Sequence, residues 1–201
     1  MWLENTLETI ETLKNKIWIT RKARIRASER LAKSDSYSKL MLAYYSFASL
    51  AFSILELKVK DLPPAFPLLD VLLGILLFGA AIYVNTLNFS SRANALKRCY
   101  LTLDQLYLEL DQLPSVENSD SEIQRKFESI RESYKNVLEE SENHSEYDYF
   151  GVMLATYGRS KSNNLTRLQL MRYLAYQIMS LCLSGVVVVF PVTVGLWALK
   201  L

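Results

Sequence analysis

The chain has 201 residues, half of them hydrophobic, and its 23 basic and 21 acidic side chains leave a net charge of +2. So small a net charge gives no indication of direct binding to nucleic acid. A chain of this length also has too few polar residues to enclose several fully apolar helices in a water-soluble shell. The placement of the apolar residues along the chain therefore decides the class of protein.

Three long apolar segments dominate the sequence, at residues 40–57, 65–87 and 174–199. A helix rises ~1.5 Å per residue, so about 20 residues cross the ~30 Å hydrocarbon core of a bilayer. The first segment is the shortest and has Glu56 at its edge. The third has Tyr173 and Tyr176 at one end and Trp197 at the other, as interfacial aromatic belts do. The sequence therefore predicts three transmembrane helices.

The basic residues indicate how these helices are oriented, because loops rich in Lys and Arg remain on the cytoplasmic side. Nine basic residues precede residue 40 and eleven lie in residues 90–172, whereas the link between the first two segments has two and the tail after residue 199 has one. We therefore expect a cytoplasmic N-terminus and an external C-terminus. The first apolar run begins near residue 40, too late for a secretory signal, and is expected to act as an uncleaved targeting segment.

The polar residues between the second and third segments carry two helical patterns. The first stripe is Leu96, Tyr100, Leu103, Tyr107 and Leu110, and the second is Ile123, Phe127, Ile130, Tyr134 and Val137. Their steps of three and four residues are typical of paired helices. Pro114 ends the first helix, and Ser121 with Gln124 fits a capping box for the next. The stripes predict an antiparallel helical hairpin in the cytoplasm.

The N-terminal segment carries a similar stripe, formed by Leu3, Leu7, Ile10, Leu13 and Ile17. An isolated helix could not keep such a stripe exposed, so we expect it to pack on the hairpin or on other copies of itself. Six basic residues follow it: Arg21, Lys22, Arg24, Arg26, Arg30 and Lys33. Placed before the first span, they would lie near anionic lipid headgroups, and we interpret them mainly as a determinant of topology.

The predicted fold class is an all-α membrane protein in five parts. These are an amphipathic, basic cytoplasmic helix (1–39), a two-span transmembrane hairpin (40–89), the cytoplasmic helical hairpin (90–150), a linker (151–173) and a third transmembrane helix (174–201).

The ionisable residues give no indication of catalysis. His144 is the only histidine, and no serine elbow, Cys–His pair, glycine-rich phosphate loop or paired-carboxylate signature accompanies it. Cys99 and Cys182 fall in the cytoplasmic part and in mid-span, so we expect no disulfide between them. No metal-ligand spacing occurs either. We expect neither an enzyme nor a cofactor or metal site.

Polar residues inside the first two predicted spans lie on one face of each helix. The first face consists of Ser46, Ser49, Ser53 and Glu56, and the second of Asp70, Gly74, Ala81, Asn85 and Asn88. Polar groups in hydrocarbon are costly unless they face water or a partner. In an oligomer these faces would line an aqueous path, with Glu56 and Asp70 at an acidic outer mouth that favours cations. The alternative is close helix packing through the same small and polar residues.

The third apolar segment contains residues that allow bending, namely Gly185, Pro191 and Gly195. Pro191 removes a backbone donor and favours a kink. One interpretation is a hinge that changes the tilt of this helix on activation, and the other is the ordinary tolerance of proline in membrane helices.

The order of these features resembles the SLATT family of bacterial conflict-system effectors. A basic helix, two adjacent spans and a cytoplasmic hairpin are followed by residues that match the family's closing motif in order and approximate spacing. They are Tyr134, Leu138, Asn143, His144 and Asp148. The resemblance covers residues 10–150. The third span departs from the two-span plan and looks like the subfamily that accompanies reverse transcriptases.

The resemblance implies an oligomeric effector of the bacterial inner membrane that acts in antiviral defence by abortive infection. Such an effector permeabilises the membrane when a partner enzyme or its nucleotide product signals infection. The implied partners are the lipid bilayer, further copies of the chain, and a reverse transcriptase or nucleotide-signalling enzyme encoded nearby. Two alternatives are a membrane-anchored scaffold that conducts no ions and an intramembrane enzyme, which lacks the ionisable groups it needs. The motif residues either hold the helix end in place or contact a signal.

Overall fold

The structure of the chain is a computed structural model, and it describes residues 2–59, 63–113, 120–143, 145–155 and 166–200. In these ranges every regular element is a helix. The helices are α1 (Trp2–Lys58), α2 (Ala65–Thr86), α3 (Phe89–Gln112), α4 (Asp120–Glu139), α5 (Glu146–Ala155) and α6 (Arg167–Lys200). Three helical stretches are long and apolar enough to cross a membrane: Glu8–Lys58, Ala65–Gln112 and Arg167–Leu196. The prediction of an all-α protein with three such helices is confirmed.

The chain divides into two compact units. The polar unit comprises Met1–Ala32 and Ser90–Leu170, and the membrane unit comprises Lys33–Phe89 and Met171–Leu201. Helix α1 contributes residues to both units. Each unit has its own set of contacts.

The core of the polar unit is formed by α1, α3 and α4. Its buried side chains are Ile10, Leu13, Ile17, Cys99, Leu103, Leu106, Leu110, Leu113, Phe127 and Ile130. These residues recur at steps of three and four, so each helix turns one apolar stripe toward the other two. The predicted stripes meet in this cluster in part, through Ile10, Leu13, Ile17, Leu103, Leu110, Phe127 and Ile130, with Tyr107, Tyr134 and Val137 packed against it.

Contacts at the two ends of α3 and α4 define how these helices pair. Near the start of α3, Nε of Arg92 donates to the carboxylate of Glu142 (2.9 Å), just beyond the end of α4. At the other end of α3, Leu113 and Lys126 line the same groove. The two helices therefore run antiparallel, and the cytoplasmic location of the pair stays a prediction.

Two capping boxes mark the starts of α5 and α6. The sequence predicts the first position as the end of the cytoplasmic hairpin and the second as part of the linker. Ser145 accepts a hydrogen bond from the amide of Asp148 (3.3 Å), and the Asp148 carboxylate accepts one from the amide of Ser145 (3.2 Å). Thr166 and Gln169 exchange the same pair of bonds at the start of α6. Because each box satisfies free amides of a first turn, α5 starts at Glu146 and α6 at Arg167. Residues 156–165 of the predicted linker lie outside the described residues.

The membrane unit has few buried side chains. Phe52 and Phe66 pack edge to face with ring centroids 5.6 Å apart, and Leu55, Leu73 and Val194 pack against them. Most other apolar side chains are exposed, among them Leu76, Phe78 and Leu181. Such a surface is unusual in water and normal where lipid is the solvent.

Candidate functional site

The polar residues of the first two apolar helices meet in part at Asp70. The hydroxyl of Ser49 donates to one carboxylate oxygen of Asp70 (2.8 Å) and the hydroxyl of Ser53 to the other (2.5 Å). Ser49 and Ser53 are four residues apart on α1, so their side chains lie one above the other on the same face. The result is a small polar cluster, which we call the Asp70 cluster, in an otherwise apolar unit.

The other predicted lining residues lie apart from this cluster. The hydroxyl of Ser46 donates to the carbonyl of Leu42 (2.8 Å) and is exposed. Asn85 is exposed on α2, about 22 Å from Asp70 along the helix axis. Asn88 follows the end of α2 with a φ of 48°, a left-handed conformation that Asn tolerates, and its amide donates to the carbonyl of Thr86. Asn88 therefore has no place on the face of α2.

Glu56 belongs to the same face of α1 as Ser49 and Ser53. Its Oε1 is buried and has no hydrogen-bond partner among the residues that the structure describes. A buried polar atom without a partner is costly, and more so in hydrocarbon. Glu56 and Asp70 lie on the first two apolar helices, and the acidic mouth that they would form stays a prediction. The bonds from Ser49 and Ser53 also agree with the packing alternative, because they stay within one copy of the chain.

In the polar unit, the motif residue Asp148 is only 2% exposed and accepts three hydrogen bonds from the side chains of Arg30 and Ser145. The guanidinium of Arg30 donates from Nε to Oδ1 and from Nη2 to Oδ2, both at 3.0 Å, and the hydroxyl of Ser145 donates to Oδ2 at 2.6 Å. Burial alone would raise the pKa of Asp148, but the hydrogen bonds and positive charge of Arg30, together with Ser145, outweigh it and hold the pKa below its usual value. Asp148 therefore fixes α5 to α1 as a carboxylate.

The other motif residues differ from one another in their contacts. The hydroxyl of Tyr134 on α4 lies 3.1 Å from the hydroxyl of Thr20 on α1. Glu142, beside the motif, accepts a hydrogen bond from Nε of Arg92 (2.9 Å), and Asn143 is exposed. His144 lies outside the described residues. Tyr134 and Asp148 thus connect α4 and α5 to α1, in agreement with the first of the two roles left open by the sequence, and contact with a signal stays a prediction.

Several basic residues before the first span lie in the polar unit, whereas the sequence predicted them near lipid headgroups. Arg21 forms an ion pair with Asp104, and its guanidinium carbon lies 5.3 Å from the ring centre of Tyr107. Arg30 binds Asp148, and Arg24 is 2% exposed. These side chains belong to the interior and rim of the polar unit because the core stripe of α1 continues past Ile17.

The burial of Arg24 was not predicted from the sequence. Its Nε and Nη1 are buried and, in the described part of the chain, no group accepts a hydrogen bond from either. Extending the stripe of Ile10, Leu13 and Ile17 by the same steps reaches Thr20, Arg24, Ala27 and Leu31. That continuation would have placed Arg24 on the core face.

Comparison with known proteins identifies a family described by two membrane spans, whereas the described part of this chain has three candidate spans. The family model described as "SMODS and SLOG-associating 2TM effector domain family 5" matches residues 6–197. The match extends beyond residues 10–150, on which the resemblance rested, and includes most of α6. No curated protein and no solved structure gives a significant match to the chain.

Proposed function

The chain belongs to the SLATT family of membrane effectors in conflict systems, and from this premise we propose that it is an oligomeric antiphage effector that permeabilises the bacterial inner membrane on activation. The activating signal in this proposal is a partner enzyme encoded nearby, such as a reverse transcriptase or a nucleotide-signalling enzyme, or the product of that enzyme. The N-terminus and the polar unit lie in the cytoplasm, where such a signal would arise, and the C-terminus lies outside.

The uncovered apolar surface of three helices is the observation that carries this proposal. The three stretches are long and apolar enough to cross a membrane, and almost all of their most apolar residues are uncovered within one copy. Such surfaces need lipid or further copies of the chain to cover them. Three helices are too few to surround a water-filled path, so permeation requires an oligomer.

The Asp70 cluster and Glu56 supply the chemistry of a cation path. Carboxylates at the mouth of a pore raise the local concentration of cations and repel anions. In one copy Ser49 and Ser53 satisfy both oxygens of Asp70, which lowers the cost of keeping a carboxylate among apolar helices. We infer that assembly brings the carboxyl groups of neighbouring copies around a common axis.

Reconstitution in liposomes tests the path directly. The wild type is expected to conduct K⁺ better than Cl⁻, and Glu56→Gln combined with Asp70→Asn to move the K⁺/Cl⁻ permeability ratio toward one. Asp35→Asn is the matched control, because it removes the same charge from α1 of the membrane unit at a site that pairs with Lys39. An unchanged ratio in the double variant would remove the acidic mouth from the proposal.

The scaffold alternative has one observation in its favour, since the hydrogen bonds of the Asp70 cluster stay within one copy. Inducible expression together with the neighbouring enzyme, followed with a voltage-sensitive dye, separates the two functions. Rapid depolarisation and growth arrest are expected for a permeabilising effector. A normal membrane potential with the partner bound to the membrane would favour the scaffold and contradict permeabilisation.

A further inference from the structure

Pro191 interrupts the hydrogen bonding of α6. Proline has no amide hydrogen, so the carbonyl of Val187, four residues earlier, loses its helical donor. In hydrocarbon no water replaces that donor, and an unsatisfied carbonyl is costly. The carbonyl of Val188 is in a different position, because Val192 keeps its amide.

Two tyrosines of α1 donate to these carbonyls. The hydroxyl of Tyr45 lies 2.6 Å from the carbonyl oxygen of Val187, and the hydroxyl of Tyr44 lies 2.9 Å from that of Val188. Tyr45 therefore supplies the bond that Pro191 removes, whereas Tyr44 adds a second donor to a carbonyl that has a helical one.

The same face of α6 is packed against α1 one turn further on. Pro191 is buried although its neighbours Phe190 and Val192 are more than half exposed. At Gly195, the ring of Phe52 comes so near that an added Cβ would lie 3.4 Å from it. Pro191 and Gly195 thus let α6 approach α1 closely, and the bond from Tyr45 lies at the start of this contact.

We propose that Tyr45 is a positioning residue whose hydroxyl replaces the backbone hydrogen bond lost at Pro191 and thereby docks the third apolar helix on the first. Pro191 and the Tyr45 hydroxyl act together: without Tyr45 the carbonyl of Val187 has to find another partner, and α6 changes its tilt or separates from α1. This inference concerns the folded membrane unit and holds whether or not the protein conducts ions.

The hydrogen bond has a direct spectroscopic test. Labelling the Val187 carbonyl with ¹³C and ¹⁸O in the full chain in bilayers separates its infrared band from those of the other carbonyls. Tyr45→Phe is expected to shift this band to higher frequency, as loss of a hydrogen bond does. Tyr44→Phe is the matched control and is expected to leave the band in place. An unshifted band in Tyr45→Phe would overturn the proposal.

A double-mutant cycle tests whether Tyr45 acts because of the proline. In the wild type, Tyr45→Phe is expected to lower the folded-to-unfolded ratio in detergent about 3- to 15-fold, the range for hydrogen bonds between membrane helices. In the Pro191→Ala background the amide of Ala at that position restores the helical donor, so the same change is expected to have almost no effect. Equal losses in both backgrounds would overturn the proposal.

The consequence for activity rests on the proposed function. If opening changes the tilt of α6, Tyr45→Phe is expected to lower the level of induction at which cells depolarise, and Tyr44→Phe to leave it unchanged. A shifted Val187 band without any depolarisation would retain the positioning role of Tyr45 and contradict only the permeabilising function. A shifted band with an unchanged induction threshold would show that opening leaves this contact intact.

Discussion

In the polar unit Leu103 and Leu110 have no exposed surface, whereas in the membrane unit Leu76 and Leu181 expose 69% and 76% of theirs. The same side chain therefore has opposite surroundings in the two units. Water drives leucine into a core in the first, and the apolar exterior of the second is left for lipid. Since lipid gives helices no hydrophobic reason to associate, the membrane unit depends on hydrogen bonds and close packing.

One aspartate in each unit shows the same difference between the two units. Asp148 of the polar unit binds the guanidinium of Arg30 through both oxygens. Asp70 of the membrane unit binds two serine hydroxyls and no cation among the residues described. A buried carboxylate with a full counter-charge is an anchor, whereas under the proposed function one with hydroxyl donors alone can meet a cation.

The largest expected effect tests the comparison of leucines. Leu103→Ala should destabilise the full chain by about 2–5 kcal/mol, because it removes a fully buried side chain and leaves a cavity. Leu101→Ala on the same helix, where the side chain is 49% exposed, is the matched control and should cost far less. Hydrogen exchange of the α3 amides measures both. Similar protection in the two variants would mean that α3 has no preferred buried face.

The next effect concerns the anchor between α1 and α5. Asp148→Asn should cost about 2–5 kcal/mol, since it replaces the charged acceptor of a bidentate, partly buried ion pair with Arg30 by a neutral amide. Glu142→Gln, at a more exposed ion pair with Arg92, is the control and should cost about 1 kcal/mol or less. Proteolysis after Tyr147 and Tyr149 follows the release of α5. Equal effects would show that burial adds nothing to the Asp148 pair.

Acid should weaken the same anchor. The folded pKa of Asp148 lies below its unfolded value of about 3.9, so its contribution to stability is complete above pH ~4 and is lost as the pH falls through the folded pKa. The wild type should lose more stability than Asp148→Asn between pH 4 and pH 2, because only the wild type has the Asp148 carboxylate to protonate. Parallel acid titrations of the two proteins would contradict the assignment.

Most of the fold could be predicted because its signals are local. The three apolar segments follow from length and hydropathy, and the stripes of α3 and α4 from steps of three and four. The start of α5 was missed although Ser145 and Asp148 have the spacing of a capping box. Asp148 was interpreted only as a residue of the family motif. The extra turns at the start of α6 were missed because their capping residues, Thr166 and Gln169, precede the apolar segment by which the third span was placed.

The candidate site was less predictable, because it depends on contacts between distant residues. Helical periodicity placed Ser49, Ser53 and Asp70 on polar faces, but no pattern in the sequence says that the serines donate to that carboxylate. The sequence likewise gives no sign of the hydrogen bond between Tyr45 and Val187, since it joins a side chain to a carbonyl 142 residues away. In the basic cluster, charge count alone does not separate Arg24 in a core from a lysine on a surface, and the role of the cluster in topology stays a prediction.

The smallest expected effect has the opposite sign and concerns Arg24, whose buried Nε and Nη1 depart from the pairing seen at Asp148. Arginine stays charged at any ordinary pH, so an unpaired guanidinium in the core opposes folding. Arg24→Met keeps the length of the side chain and should stabilise the full chain by about 1–4 kcal/mol. Arg21→Met, which breaks the pair with Asp104, is the control and should destabilise it slightly. Thermal unfolding in detergent measures both variants. If Arg24→Met is instead the less stable protein, the guanidinium has an anionic partner in the native protein, and the polar unit then pairs its buried charges at Arg24 as it does at Asp148.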